Sequence, residues 1–189
     1  MESRDIHCAF VEMDTDRCEY LQNHLMPFQA ISGVNYSIAC TPFSEGIDEL
    51  AKQRPEFFTG RLPMFAFIDP FGATGAPFSV VYRLLASPRS EVFINFDVDA
   101  VARIFGAGDH ARHEDLLGDI FGDNEWRSEF ERFSSDFPNL WWAILAAYKT
   151  RLWNLPRVRA SFSFEMTIPI LFLTIILSSL VSIIVDWKR

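Results

Sequence analysis

A chain of 189 residues with 49% hydrophobic and 22% charged side chains has globular composition, and 19 phenylalanines point to a core of aromatic layers, which excludes a disordered tail. The formal net charge of -8 repels a phosphate backbone and excludes unaided, non-specific nucleic-acid binding, leaving room for a local basic groove or a basic partner.

The opening residues Met1 to Asp5 are polar and charged, with no apolar region behind them, so no signal peptide is expected. His7 to Val11 (H-C-A-F-V) reads as a short buried strand, with Glu12 and Asp14 at its carboxyl end. Asp16 to Leu25 has helical spacing, with Cys18, Leu21 and Leu25 on one face and Asp14 or Thr15 able to cap it. Val34 to Cys40 reads as a second strand, Thr41-Pro42 as a turn, and Ser44 to Lys52 as a helix with Ile47, Leu50 and Ala51 inward. Leu62 to Ile68 (L-P-M-F-A-F-I) is an apolar run stopped by Asp69-Pro70, which predicts a buried parallel strand leading into a loop. Pro77 to Ala86 follows as a helix, and Glu91 to Phe96 (E-V-F-I-N-F) as a fourth buried strand. This alternation predicts an α/β fold in which the four strands share one mostly parallel sheet.

From Val98 to about Leu152 the pattern turns helical, as an insertion or cap. Val158 to Met166 alternates like a strand. Thr167 to Val185 carries no charge and approaches the length of a membrane span. Pro169 near its start suits a strand better than a spanning helix. The expected arrangement is therefore a buried strand to about Thr174 and an atypical apolar tail over 175–189, with a membrane anchor as the competing reading.

Several side-chain groups could carry chemistry. Glu12 and Asp14 lie where nucleotide-binding α/β folds place an acid against ribose hydroxyls; alternatively Asp14 is a helix cap and Glu12 is solvated. Asp69, Pro70 and Phe71 end the most apolar strand, where open α/β sheets bind ligands: a carboxylate for an amine N–H, a fixed backbone, and a ring to stack on a planar base. The plain alternative is a strand-ending turn. His110, His113, Glu114 and Asp115 lack a metal-binding order and read as a solvated helix face, so no metal site is expected. Cys8, Cys18 and Cys40 form no C-x-x-C pair and read as small, reduced, buried thiols of a cytoplasmic protein. No strand with a G-x-G turn precedes Glu12.

F-V-E-M-D, F-A-F-I-D-P-F-G-A-T-G with V-V-Y-R-L-L, E-V-F-I-N-F, F-G-D-N-E-W-R, Y-K-T-R-L, and F-S-F-E-M with P-I-L-F-L-T occur in an order that resembles the three-Cys-motif partner family (TcmP), over residues 7 to 174. That family is similar in fold to class I S-adenosylmethionine-dependent methyltransferases. The resemblance implies an α/β, Rossmann-like, mostly parallel sheet with flanking helices and a helical insertion over 98–152. It implies S-adenosylmethionine as cofactor, with Glu12 and Asp14 at its ribose and Asp69, Pro70 and Phe71 at the transfer site. It also implies a separate three-Cys-motif protein as partner, with a nucleic acid or base-like amine as target. Measured against the family, residues 1–174 form an incomplete domain, N-terminally truncated and lacking the first strand and glycine loop, which predicts impaired cofactor binding. Two other readings stand beside it: a non-catalytic module docking a partner through Trp126, Trp141, Trp142 and Trp153, and a protein tethered to a membrane by residues 167–185.

Overall fold

A computed structural model describes residues 5–70, 72–106, 113–137, 139–167 and 170–177. It is a mixed α/β protein that divides into two compact units, Met1–Pro55 and Glu56–Arg189.

The first unit is a β-α-β crossover followed by a helix. Strand β1 (Ile6–Glu12) pairs in parallel with β2 (Val34–Cys40), in a register that sets Ile6 opposite Val34 and Glu12 opposite Cys40. Helix α1 (Thr15–Leu25) connects them, continued by a 3-10 turn over Met26–Ala30. Asp14 starts α1 because its extended backbone turns a carboxylate oxygen onto the free Arg17 N–H at 2.9 Å. Helix α2 (Phe43–Gln53) follows Pro42 and buries Gly46 and Ile47. Gly46 is needed for close approach: a Cβ there would lie 2.5 Å from Val11 Cγ1, so only glycine lets the helix lie this near β1. His7 links three segments of the unit, with one ring nitrogen 3.1 Å from Ser37 Oγ and the other 2.9 Å from an Arg54 guanidinium nitrogen.

The thiols of this unit differ from expectation. Cys18 and Cys40 are joined as a disulfide, with their Cα atoms 5.9 Å apart, and only Cys8 is free. The parallel pairing explains this. It brings the end of β2 beside the end of β1, where α1 begins, and so places two positions 22 apart in sequence at one edge.

The second unit is built on a four-stranded sheet in the order β3-β4-β6-β5. After the short helix α3 (Pro55–Phe58), strand β3 (Met64–Ile68) leads through α4 (Phe78–Leu85) to β4 (Ser90–Phe96), again a parallel pair. Helices α5 (Val98–Gly106), α6 (Glu114–Phe121), α7 (Trp126–Asp136) and α8 (Leu140–Trp153) follow. Strands β5 (Ala160–Thr167) and β6 (Ile170–Leu177) close the unit, and β6 runs antiparallel to both neighbours, β4 and β5.

Two expectations are corrected here. The four predicted parallel strands do not make one sheet: among the described residues β1 bonds to β2 and β3 to β4, in separate sheets. The larger sheet is also mixed rather than mostly parallel, because only two residues separate β5 from β6 and so short a connection forces antiparallel pairing. The predicted strand after Thr167 is present as Ile170–Leu177, extending past Thr174, and it pairs with residues 91–96.

Strand β4 alternates strictly. Val92, Ile94 and Phe96 are buried, whereas Glu91, Phe93 and Asn95 are half-buried on the opposite face. The buried face meets an aromatic and aliphatic layer from the helices, in which Tyr148 of α8 stacks on Phe96 at 4.1 Å and meets Phe78 and Phe121 edge-on. Each fully buried Leu, Ile or Val there, such as Val81, Leu84 and Ile144, contributes about 1.5–3 kcal/mol. The segment 98–152, read from sequence as an insertion, thus supplies much of this unit's core. The other face of β3 is open: Phe65 is 66% and Phe67 59% exposed, and only Ile68 of the strand is buried. The prediction of a fully buried strand fails there: among the described residues β3 pairs with β4 alone, and the face carrying Phe65 and Phe67 is uncovered.

Candidate functional site

In the first unit the two acidic candidates occupy the carboxyl end of β1. Glu12 Oε1 accepts from the Asp14 N–H at 2.8 Å, and Asp14 Oδ1 accepts from the Arg17 N–H. Both carboxylates therefore shape the turn from strand to helix, and the capping reading of Asp14 holds. Cys40 sits opposite Glu12, and its disulfide ties the same turn to β2. This edge presents two acids and a sulfur pair around one short loop.

The second group lies in the second unit. Asp69 and Pro70 follow β3; Phe71 lies outside the described residues. Because β3 and β4 are parallel neighbours, Asp69 emerges beside the end of β4, where the Asn95 side-chain N–H donates to Asp69 Oδ1. Asn95 Oδ1 is buried without a hydrogen-bond partner, so this amide keeps an acceptor unsatisfied while its donor serves the carboxylate. Asp97, also beyond β4, is engaged at the start of α5, accepting from the Ala100 N–H at 2.8 Å. Pro70, Gly72, Ala73, Asp97 and Tyr148 line a small recess of about 10 Å³, close to the threshold for a single water. Burial pushes the Tyr148 phenol well above its ordinary range, so it stays protonated and is no base at neutral pH.

Asn95 received no role from sequence. Its signal is a polar residue near the carboxyl end of a strand whose parallel neighbour is followed by an acid. Glu12 and Asp14 belong to the first unit, Asp69 and Pro70 to the second. Of the histidine-acid cluster, His110 lies outside the described residues and His113 precedes α6; no group of three metal-ligating side chains occurs among the described residues.

A third cluster joins the segments F-G-D-N-E-W-R and Y-K-T-R-L. Arg151 of α8, from Y-K-T-R-L, pairs with Asp123 and Glu125 of F-G-D-N-E-W-R, lies 3.6 Å from Glu129 of α7, and donates to the Phe121 carbonyl at 3.2 Å. Arg151 is mostly buried and holds the turn between α6 and α7 against α8. Its role is structural.

Of the four tryptophans considered for docking, Trp126 is core, enclosed by Phe105 and Phe121, and Trp141 is half-buried. Trp142 is 42% and Trp153 55% exposed. Among the described residues no helix is long and apolar enough to cross a membrane; of residues 167–185, Thr167 and 170–177 are strand, and the rest lie outside the description. The chain matches no family model, no curated protein and no solved structure.

Proposed function

We propose that this α/β protein is a Rossmann-like, methyltransferase-type member of the three-Cys-motif partner family that presents a base-like amine to a methyl donor. The observation that carries the proposal is the Asp69–Asn95 pair at the adjacent carboxyl ends of two parallel strands, where open α/β sheets bind their ligands. Asp69 accepts an N–H of the target amine. Asn95 holds that carboxylate in place by donating its side-chain N–H.

The cofactor of such a reaction, S-adenosylmethionine, supplies an electrophilic methyl group when bound. The chain fits it only in part. Glu12 and Asp14 have the right chemistry for ribose hydroxyls, but each already gives one oxygen to a backbone N–H. Calorimetry should give weak binding or none; a micromolar dissociation constant, about -8 kcal/mol, would overturn that expectation.

The test of function is methyl incorporation into amine-bearing bases by the chain together with its three-Cys-motif partner. Incorporation lost in Asp69→Ala, with melting unchanged, supports the assignment; incorporation that survives the substitution sinks it. A second reading, a non-catalytic docking module, rests on the exposure of Trp142 and Trp153. It predicts partner binding that falls at least tenfold in Trp142→Ala or Trp153→Ala, about 1.4 kcal/mol, with no methyl transfer in any variant.

A further inference from the structure

We propose that Cys18 and Cys40 are a thiol–disulfide modification site, closed by exchange with a small disulfide of the glutathione type, that locks the turn carrying Glu12 and Asp14. Three observations converge. The two cysteines are bonded across the carboxyl edge of the β1–β2 pair. They differ in access: Cys18 is 1% exposed, whereas Cys40, at the last position of β2, is open to solvent. And the bond closes around the acidic turn, since Cys40 registers with Glu12 and Cys18 lies in the helix that Asp14 caps.

The asymmetry sets the order of events. The Cys40 thiolate attacks one sulfur of the external disulfide and releases its first thiol, leaving a mixed disulfide on Cys40. The Cys18 thiolate then attacks the Cys40 sulfur and expels the second thiol. The external disulfide is reduced to two thiols, the cysteine pair is oxidised, and the two cysteine protons end on the two thiols released. Excess thiol runs the sequence backwards, entering again at Cys40. Closure fixes the end of β2 to the first turn of α1, so the backbone from Glu12 to Cys18 loses freedom when oxidised and regains it when reduced. Cys8, in mid-strand opposite Tyr36, stands four residues from this edge and takes no part. The proposal is independent of whether Glu12 and Asp14 hold a cofactor.

The test equilibrates the full chain in buffers of varied reduced-to-oxidised glutathione ratio, quenches with acid, and counts alkylatable thiols after denaturation. One reactive thiol, Cys8, is expected at the oxidising end and three at the reducing end, in a single two-electron transition that Cys8→Ala leaves in place. Hydrogen exchange of the amides from Asp14 to Cys18 should slow by at least ~10-fold on oxidation. Cys18→Ser should accumulate a mixed disulfide on Cys40, and Cys40→Ser should leave Cys18 unmodified while folded. Three thiols at every ratio would overturn the site. Oxidation without a change in exchange at the turn would overturn the locking role, and faster capture by Cys18 than by Cys40 would overturn the order.

Discussion

Asn95 donates its side-chain N–H to Asp69 across the β3–β4 pair, so the last polar residue of one strand holds the first acid beyond its neighbour. Because the Asn95 acceptor is left buried and unpaired, the amide contributes little net stability. Asn95→Leu should shift unfolding free energy by less than about 1 kcal/mol, in either direction, in urea denaturation. The same variant should lose amine transfer if Asp69 works through it, and a large loss of stability would show that the pair is structural.

Arg151 gathers Asp123, Glu125 and Glu129 on one guanidinium. Arg151→Met keeps most of the stem but leaves these carboxylates facing one another, and should destabilise the second unit by on the order of 2–3 kcal/mol. Arg151→Lys should recover only part of that, because an ammonium cannot reproduce the planar fork. Equal stabilities for the Lys and Met variants would refute the role given to the fork.

Burial raises the Glu129 carboxyl above its ordinary value of 4.5, with the nearby Arg151 opposing but not cancelling the rise. The folded chain therefore holds this proton more tightly than the unfolded chain. Glu129 adds stability that is fully present below its unfolded pKa and is lost as pH rises through its folded pKa. A stability-against-pH series from acid toward neutrality should lose this declining component in Glu129→Gln. A variant that instead declines more steeply would show that the ion pair with Arg151 dominates.

Gly122 ends α6 with φ 96°, and a Cβ at that position would lie 2.5 Å from the Phe78 ring. Gly122→Ala combines left-handed backbone strain, about 1–2 kcal/mol, with displacement of a buried aromatic ring. A loss of about 2–3 kcal/mol is expected from chemical denaturation, and a loss below about 0.5 kcal/mol would show that the turn relaxes freely.

Periodicity and breakers made most elements legible. Val34–Cys40 is followed by the Thr41-Pro42 turn, and E-V-F-I-N-F over 91–96 is legible as a strand that the structure extends by one residue to Ser90. Burial was less readable. The run M-F-A-F-I looks like a central strand, yet among the described residues β3 pairs with β4 alone, because composition records what a strand could bury and pairing decides what it does bury. The disulfide escaped for a related reason. Cys18 and Cys40 show no motif spacing, and only the parallel register of β1 and β2 makes them neighbours. At the candidate site the acids were visible as residue types beyond apolar runs, whereas Asn95 acquires meaning only once β3 and β4 are paired.

Strand β6 is the last described element, yet it stands between β4 and β5. A ribosome making this chain releases β3, α4, β4 and helices α5 to α8 well before the strand that seals the inner edge of β4. Until Leu177 has been synthesised, residues 91–96 can pair with β3 alone and lack their β6 partner, with hydrophobic strand surface around them. Nascent chains should therefore engage holdase chaperones late, and a stop codon just ahead of Ile170 should send the product to inclusion bodies or proteolysis rather than yield a shorter folded domain.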